Sequence, residues 1–274
     1  TMVHGIFDHA PGMLVPELVN CPNYLPIDLK IDGTPFRLVN QNNTDLMPVD
    51  GAVLGYKRTL LMDQGVLKRE ILFRAQSGSI VRLIFERFAS LANPHMLVQR
   101  VQLIAVDGEP DIEVQAFIDH HPTNSGVPHW VDARTIGQDN MVGVEVRTGQ
   151  SGYRLGMASN FTAPNSVTQK AETNDWFVTQ SRFHLGHEQA VDLFKFTTIY
   201  TSRDVDNPLD TAIADLTQIA KNASYDSSLS AHQAEWATYW QNSDVQIEGD
   251  EFAQLALRFT QYHILIAAPR QDDD

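Results

Sequence analysis

Three histidines, His120, His121 and His129, lie close together in one polar stretch of the sequence. Imidazole nitrogens are common metal ligands, and a zinc site needs several such ligands, or carboxylates, that converge on one point. Adjacent residues of an extended strand point to opposite faces, so His120 and His121 are poorly placed to bind one ion together. The sequence therefore predicts no metal site, and it contains no pattern that indicates a cofactor.

Carboxylates are abundant, and a pair of them can act as general acid and general base in the cleavage of a glycosidic bond. Pairs such as Asp28 and Asp32, however, fall at strand ends and turns, where no apolar or basic surroundings would separate their pKa values. Gly249-Asp250-Glu251-Phe252 stands at a predicted helix start, where Asp250 would cap the helix and Glu251 would complement its dipole. The sequence therefore predicts no catalytic residue.

The elements that position these residues are mostly strands. From about Leu54 to Tyr200, short runs rich in β-branched and aromatic residues alternate with turn signals, and no helical pattern interrupts them. This order predicts two large antiparallel sheets packed face to face. The stretch from His120 to Met141 is too long for a hairpin turn and is predicted to be a loop. Four hairpins are predicted, with turns at residues 63–65, 107–110, 149–152 and 185–188.

Near Asp206 the apolar period becomes helical. Asn207 followed by Pro208 predicts a helix start. A second helix is expected from about Leu229 to Trp240, with an aromatic face that docks on a neighbour and consists of His232, Trp236, Tyr239 and Trp240. A third helix is expected from Glu251 to Ala267, and its broad apolar face has no obvious partner within the chain.

Composition excludes several classes of partner. The chain has 274 residues and a formal net charge of −14, without a cluster of Lys or Arg, which argues against nucleic acids and anionic membranes as partners. No apolar run is long enough to span a bilayer, and no signal peptide pattern is present. The single cysteine, Cys21, excludes an internal disulfide and is predicted to be a buried, inert thiol. A cytoplasmic protein is therefore predicted.

Three segments carry a family resemblance. The first is IFDHAPGMLVPELVNCPNYLPIDLKIDG, with its Phe-Asp pair and its Glu-Leu-Val-Asn run. The second is YKRTLLMDQGVLKRE together with ERFASLANPHMLVQRVQLIAVDG, and the third is WATYWQNSDVQIEGDEFAQLALRFTQYHIL. In this order they resemble the bacterial members of glycoside hydrolase family 65, which are the maltose, trehalose and kojibiose phosphorylases and related hydrolases.

The resemblance implies a mainly β fold: a large antiparallel two-sheet supersandwich of the galactose-mutarotase type, then linker helices and the first helix of a truncated (α/α)6 barrel. The expected domains are a β-sandwich at 1–203, a helical linker at 204–247 and the start of a missing barrel at 248–274. The family's catalytic Asp-Glu-Tyr-His-like motif and its Phe-Trp-Asp segment are absent from the sequence. The expectation is a chain shortened at both ends and inactive alone.

The resemblance also implies a role. The chain would be the non-catalytic N-terminal domain of an α-glucoside phosphorylase or hydrolase, whose α-linked glucose disaccharide binds in the missing barrel, and it would offer a homodimer interface. The loop after His120 would form one wall of the sugar cleft, with Asn124 and His129 as hydrogen-bonding groups and Trp130 as a stacking surface. The alternative for this loop is a surface segment without sugar contact.

Two other functions remain open. A free-standing carbohydrate-binding module would show measurable affinity for a disaccharide. A mutarotase-like enzyme would need a His and a Glu close together on one concave sheet face.

Overall fold

The computed structural model describes residues 1–40, 46–48, 50–171 and 176–268. The strands are β1 (Met2–Asp8), β2 (Glu17–Asn20), β3 (Ile27–Ile31), β4 (Thr34–Phe36), β5 (Leu38–Asn40), β6 (Leu46–Pro48), β7 (Ala52–Leu61), β8 (Val66–Arg74), β9 (Ile80–Ala89), β10 (Met96–Asp107), β11 (Asp111–Phe117), β12 (Trp130–Gln138), β13 (Met141–Thr148), β14 (Arg154–Thr162), β15 (Val167–Lys170), β16 (Phe177–His184) and β17 (Ala190–Thr201). The helices are α1 (Pro208–Asn222), α2 (Tyr225–Ser243) and α3 (Glu251–Ala267).

The predicted mainly β sandwich is confirmed. An eight-stranded antiparallel sheet has the order β12-β13-β14-β17-β10-β9-β8-β7, and a five-stranded sheet has the order β15-β16-β11-β3-β4. Alternate residues of both sheets face inward and form one apolar core, which includes Phe73, Leu83, Leu103, Ile112 and Val114. Because every second side chain of these strands is buried, the register of both sheets is fixed by this core.

Two of the four predicted hairpins are confirmed, at the turns between β7 and β8 and between β13 and β14. The other two predictions are wrong. β10 pairs with β9 and β17, whereas β11 pairs with β16 and β3, so the turn at 107–110 crosses between the sheets. The turn at 185–188 does the same between β16 and β17.

The two crossings lie side by side and share hydrogen bonds. The Leu185 N–H donates to the Pro110 carbonyl at 3.0 Å, and the Ala105 N–H donates to the Gln189 carbonyl at 3.1 Å. Leu185 is fully buried in the core between the sheets. The inward residues of a sandwich are apolar on both sheets, so the strand pattern is the same for a hairpin and for a crossing.

The predicted loop from His120 to Met141 is too long. Residues from Trp130 onward form β12, the outer strand of the eight-stranded sheet. This strand contains a register shift between Val131 and Arg134, and Asp132 within it has a positive φ of 55°. Such a bulge interrupts the alternation of side chains, which explains why the sequence pattern did not indicate a strand.

Helices α1 and α2 cover the outer face of the eight-stranded sheet through a second apolar cluster, which contains Phe88, Val98, Phe196, Leu216 and Tyr225. Pro208 occupies the first turn of α1 as predicted, and Asn207 stands at the N-cap position without a capping hydrogen bond from its side chain. Helix α1 approaches the sheet so closely that a Cβ on Gly156 would lie 2.1 Å from the Leu209 nitrogen.

The aromatic face of α2 docks as predicted. His232 accepts a hydrogen bond from the Leu91 N–H at 2.9 Å, and the Trp240 indole donates to the Met62 carbonyl at 3.0 Å. Trp236 stacks on Tyr262 of α3 with ring centroids 5.0 Å apart. None of the helices in the described part of the chain is long and apolar enough to cross a membrane.

A buried lysine connects the two sheets. Lys195 on β17 donates to the carbonyls of Tyr24, Pro26 and Phe117 at 2.6, 3.1 and 2.7 Å. Burial lowers the pKa of Lys195 to about 7, and the charge of Asp28 acts in the opposite direction. The amine thereby satisfies carbonyls of segments that enter and leave the five-stranded sheet.

Candidate functional site

The three residues predicted to contact sugar all contact one structure, the β1–β2 hairpin. The Asn124 Oδ1 accepts a hydrogen bond from the Asn20 N–H at 2.8 Å. The Asn124 amide nitrogen donates to the Leu18 carbonyl at 2.9 Å and to the Glu17 carboxylate at 3.0 Å. Both polar atoms of this side chain are therefore used to hold β2 against residues 118–129.

Trp130 also contacts β2. Its indole N–H donates to the Asn20 carbonyl at 2.8 Å, and its ring is half-buried against the apolar cluster that contains Cys21 and Leu155. The thiol of Cys21 is fully buried, as predicted, and burial raises its pKa to about 12. These contacts attach the start of β12 to the hairpin.

His129 lies between two carboxylates. Its Nδ1 is 3.1 Å from an Asp8 oxygen, and its Nε2 is 3.0 Å from a Glu17 oxygen. The side chains of His129 and Asp8 are almost completely buried, whereas that of Glu17 is partly exposed. An imidazole that faces a carboxylate at each nitrogen satisfies both only when both nitrogens carry a proton. We call Asp8, His129 and Glu17 the histidine clamp.

The hydrogen bonds of the histidine clamp favour charged carboxylates. Burial raises the pKa of Asp8, but hydrogen bonds from the Ser151 N–H, His129 and the Gln150 N–H outweigh burial, and the pKa lies below its usual range. The pKa of Glu17 is also lowered, first by the hydrogen bond from Asn124 and then by that from His129. The clamp therefore holds both carboxylates in their charged form near neutral pH.

The histidine clamp has a structural role and is not arranged for catalysis or metal binding. Both nitrogens of His129 are directed at carboxylates, so neither is free to take a proton from a substrate or to bind a metal. Within the described ranges no cluster of His, Cys, Asp or Glu could hold a metal ion. The clamp connects β1, β2, the start of β12 and the turn at 149–152.

His120 and His121, the other two histidines of the stretch, do not point to opposite faces as the sequence predicts. The rings of His120 and His121 lie with centroids 4.0 Å apart, and Trp176 is 5.8 and 5.7 Å from them. They do not point to opposite faces because β11 ends at Phe117, and beyond it the alternation of a strand no longer applies. Burial lowers the pKa of His120.

Sequence reasoning missed Asp8 and Glu17 as members of the site. The signal was present, since Asp8 belongs to the Phe-Asp pair and Glu17 to the Glu-Leu-Val-Asn run that carry the family resemblance. Asn20, the last residue of that run, contacts both Asn124 and Trp130. Residues of the first family segment and the predicted site residues therefore contact one another in one site.

The histidine clamp presents an apolar segment to solvent. Residues 9–16 connect β1 to β2, directly after Asp8 and directly before Glu17, which are both in the clamp. Within this segment Leu14 is 94% exposed, and Met13 and Val15 are exposed as well. An exposed run of three apolar residues between two fixed ends is typical of a contact surface.

Helix α3 presents a second apolar surface. Asp250 caps the helix as predicted, with its carboxylate accepting from the Ala253 N–H at 2.9 Å. One side of α3 is attached to α2, through the stacking of Tyr262 and through an ion pair between Arg258 and Asp244. An exposed side carries Phe252, Leu255, Phe259 and Ile266. The described part of the chain does not cover this face.

The sequence is similar to those of known proteins. The model of the family described as "Glycosyl hydrolase family 65, N-terminal domain" matches residues 1–239. A kojibiose phosphorylase of Halothermothrix orenii is 30% identical over 98% of this chain and 35% of its own length. A 1,2-alpha-glucosylglycerol phosphorylase of Bacillus selenitireducens is 27% identical over 98% of this chain and 33% of its own length. The chain thus spans about a third of the length of these curated relatives.

The fold is shared as well. A solved structure described as a candidate kojibiose phosphorylase from the human microbiome superimposes with a TM-score of 0.79 at 16% sequence identity. The match covers 91% of this chain and 32% of that one. At this identity the likeness concerns the fold alone.

Proposed function

Because the chain belongs to the N-terminal domain family of glycosyl hydrolase family 65, we propose that it is the non-catalytic β-sandwich of an α-glucoside phosphorylase or hydrolase. In this role it supports a catalytic α-helical barrel and lends a wall to the sugar cleft. The division into a sandwich at 1–203, a linker at 204–247 and the start of a barrel at 248–274 is part of the proposal, as are a cytoplasmic location and a homodimer.

The observation that carries the proposal is the apolar face of α3. Phe252 is 81% exposed, and Leu255, Phe259 and Ile266 extend the same exposed surface along the helix. Soluble monomers seldom leave so large a contiguous apolar face in water. The opposite side of α3 is fixed to α2, so the exposed side is held outward at a defined angle. A further helical layer of the kind expected in the other two thirds of the relatives' length would bury it.

The histidine clamp supports the second part of the proposal. We propose that residues 9–16 and 118–129 together form the wall of the sugar cleft. Asn124 and His129 hold these segments against each other, and Trp130 fixes them to β2. Direct contact of Asn124, His129 and Trp130 with a sugar stays a prediction. The polar atoms of these side chains already form hydrogen bonds within the protein.

A mutarotase-like enzyme would require a His and a Glu on a concave face of a large sheet. His129 and Glu17 lie 3.0 Å apart, but they belong to the site around β1 and β2, which form a separate two-stranded sheet. The inner face of the eight-stranded sheet carries a cavity lined by three arginines, Arg58, Arg69 and Arg87. The geometry therefore favours the supporting role.

Three assays on the purified chain distinguish the functions. We expect no phosphate-dependent or hydrolytic cleavage of kojibiose, maltose or trehalose, no acceleration of glucose mutarotation, and no heat of binding with these disaccharides by calorimetry. Turnover of any disaccharide by this chain would overturn the proposal. Saturable disaccharide binding would favour a carbohydrate-binding module, and accelerated mutarotation would favour the mutarotase-like enzyme.

A further inference from the structure

Three arginines lie together on the inner face of the eight-stranded sheet. Arg58 on β7 is the direct cross-strand partner of Arg69 on β8, and Arg69 is in turn the partner of Phe85 on β9. Arg87 follows Phe85 by two residues, so it lies on the same face, one row further along. Phe85 packs against the core between the two sheets, which identifies this face as the inner one. We call Arg58, Arg69 and Arg87 the arginine cluster.

The arginine cluster has no counter-charge within the described residues. No carboxylate there forms an ion pair with any of the three, whereas Arg100, Arg147, Arg182 and Arg258 each pair with a carboxylate. Acidic residues are not scarce, because the net charge of the chain is −14. Like charges directly opposite each other on a sheet are destabilising. The cluster therefore maintains an arrangement that is unfavourable without a ligand.

The surroundings of Arg69 make its positive charge less favourable in the absence of an anion. Arg69 is half-buried, and its guanidinium carbon lies 4.3 Å from the centre of the Phe85 ring. Burial lowers the pKa of Arg69; Tyr56 acts in the opposite direction, and the charges of Arg87 and Arg58 lower the pKa further. A positive charge in these surroundings attracts an anion more strongly than one on an open surface.

The arginine cluster borders a cavity of about 380 Å³, lined also by Leu25, Ile27, Tyr56, Phe85 and Gln99. Glu86 also borders it, but its carboxylate pairs with Arg100 on the other face of the sheet. This volume lies within the range of roughly 300–1,000 Å³ that is usual for small-molecule sites. Gln99 is only 8% exposed, and its Oε1 has no hydrogen-bond partner, while its Nε2 donates to the Leu25 carbonyl at 3.2 Å. A buried amide oxygen without a donor is uncommon in folded proteins.

We propose that this cavity binds a small phosphate monoester that also carries hydroxyl groups, such as a sugar phosphate. The doubly charged phosphoryl group would lie among the guanidinium groups of Arg58, Arg69 and Arg87, whose planar N–H forks match phosphate oxygens. A hydroxyl group of the ligand would donate to Gln99. A dianion neutralises three cations better than a single carboxylate does, which favours a phosphate over a sugar acid. This site is separate from the histidine clamp and does not rest on the proposed function.

The test is binding to the purified chain, measured by calorimetry and by thermal unfolding. The probes are glucose 6-phosphate, inorganic phosphate, gluconate and neutral glucose, at constant ionic strength. We expect saturable binding of glucose 6-phosphate and weaker binding of inorganic phosphate and gluconate. At a hundredfold excess over Kd, glucose 6-phosphate should raise Tm by roughly 5 °C or more. Glucose should give no shift in Tm.

Variants connect the binding to the arginine cluster. We expect Arg69→Gln and Arg87→Gln each to weaken glucose 6-phosphate binding at least tenfold, because each removes a charged hydrogen bond to the phosphate. Arg82→Gln is the matched control, since Arg82 is exposed on the opposite face of the same strand, β9, and should leave Kd within twofold. Without ligand, the cluster variants should be at least as stable as the parent, because repulsion is relieved.

Arg58→Gln, at an exposed position, repeats the test should the half-buried variants fail to fold. Three results would overturn the proposal. The first is no saturable binding of any phosphate up to about 10 mM, which is weaker than typical functional sites. The second is equal weakening by Arg82→Gln and the cluster variants, and the third is binding of glucose as tight as that of its phosphate. Equal binding of inorganic phosphate and glucose 6-phosphate supports the anion site and identifies free phosphate as a sufficient ligand.

Discussion

Replacement of Asp8 by alanine tests the histidine clamp directly. Asp8 accepts hydrogen bonds from the Gln150 N–H at 3.1 Å, from the Ser151 N–H at 2.7 Å and from His129 at 3.1 Å. In Asp8→Ala all three donors lose this partner, and the side chain of His129 is almost completely buried. A buried donor without a partner costs about 1–3 kcal/mol, and breaking a buried ion pair from one side costs about 3–5 kcal/mol.

We expect Asp8→Ala to lower the free energy of unfolding by about 3–5 kcal/mol at pH 7. Asp8→Asn retains an oxygen for the two backbone N–H groups, so it should cost about 1–2 kcal/mol. The pKa of Asp8 is lowered on folding, so its stabilisation is present above its unfolded value of 3.8 and is lost as the pH falls through the folded value. The difference between parent and Asp8→Ala should therefore shrink below about pH 4.

The assay is urea unfolding followed by circular dichroism, together with hydrogen exchange at the Ser151 amide, which should lose protection in Asp8→Ala. Asp107→Ala is the control, because Asp107 is exposed and makes no side-chain hydrogen bond within the described ranges. The control should stay within about 0.5 kcal/mol of the parent. A deficit for Asp8→Ala below about 1 kcal/mol at pH 7, or a deficit unchanged in acid, would refute the reasoning.

The other predictions concern packing and titration. Gly156→Ala should lower Tm by several degrees and loosen α1, because its Cβ would lie 2.1 Å from the Leu209 nitrogen; unchanged exchange of α1 amides would contradict this. Leu255→Glu should reduce self-association measured by light scattering, because it charges the exposed face of α3, and unaltered scattering would argue that this face is not adhesive. The folded pKa of Lys195 is about 7 and its unfolded value is 10.5, so stability should rise between pH 7 and 9, by at most about 1.4 kcal/mol per pH unit. Lys195→Met should abolish that rise in pH-dependent urea unfolding. Cys21 should react with a thiol reagent only on unfolding, since burial raises its pKa to about 12, and rapid labelling of the native chain would disprove this.

The sequence was sufficient for the features that depend on local pattern. The bounds of α3 follow from the Asp250 cap and the apolar period, and the hairpin between β7 and β8 follows from alternation around Asp63-Gln64-Gly65. The choice between a hairpin and a crossing depends on which sheet receives the next strand. That choice is made by contacts such as Leu185 with Pro110, distant in sequence, and the strand pattern does not contain it.

The candidate site was predicted in part for the same reason. Asn124, His129 and Trp130 were identified as one group, and the structure does bring them together on β2. Asp8, the partner of His129, lies 121 residues before it, so only the folded chain reveals that the imidazole is already engaged. The arginine cluster was missed because Arg58, Arg69 and Arg87 sit on separate strands, where each alone is typical of a solvated strand position.

The neighbouring crossings at 107–110 and 185–188 determine how the chain can fold. The five-stranded sheet takes its strands from residues 27–36, 111–117, 167–170 and 177–184, and the eight-stranded sheet takes its strands from residues 52–107, 130–162 and 190–201. Any contiguous fragment that contains all strands of one sheet therefore also contains strands of the other, and neither sheet can be cut out as an autonomous folding unit. Most native contacts must close large loops first, so we expect slow, highly cooperative refolding of the sandwich.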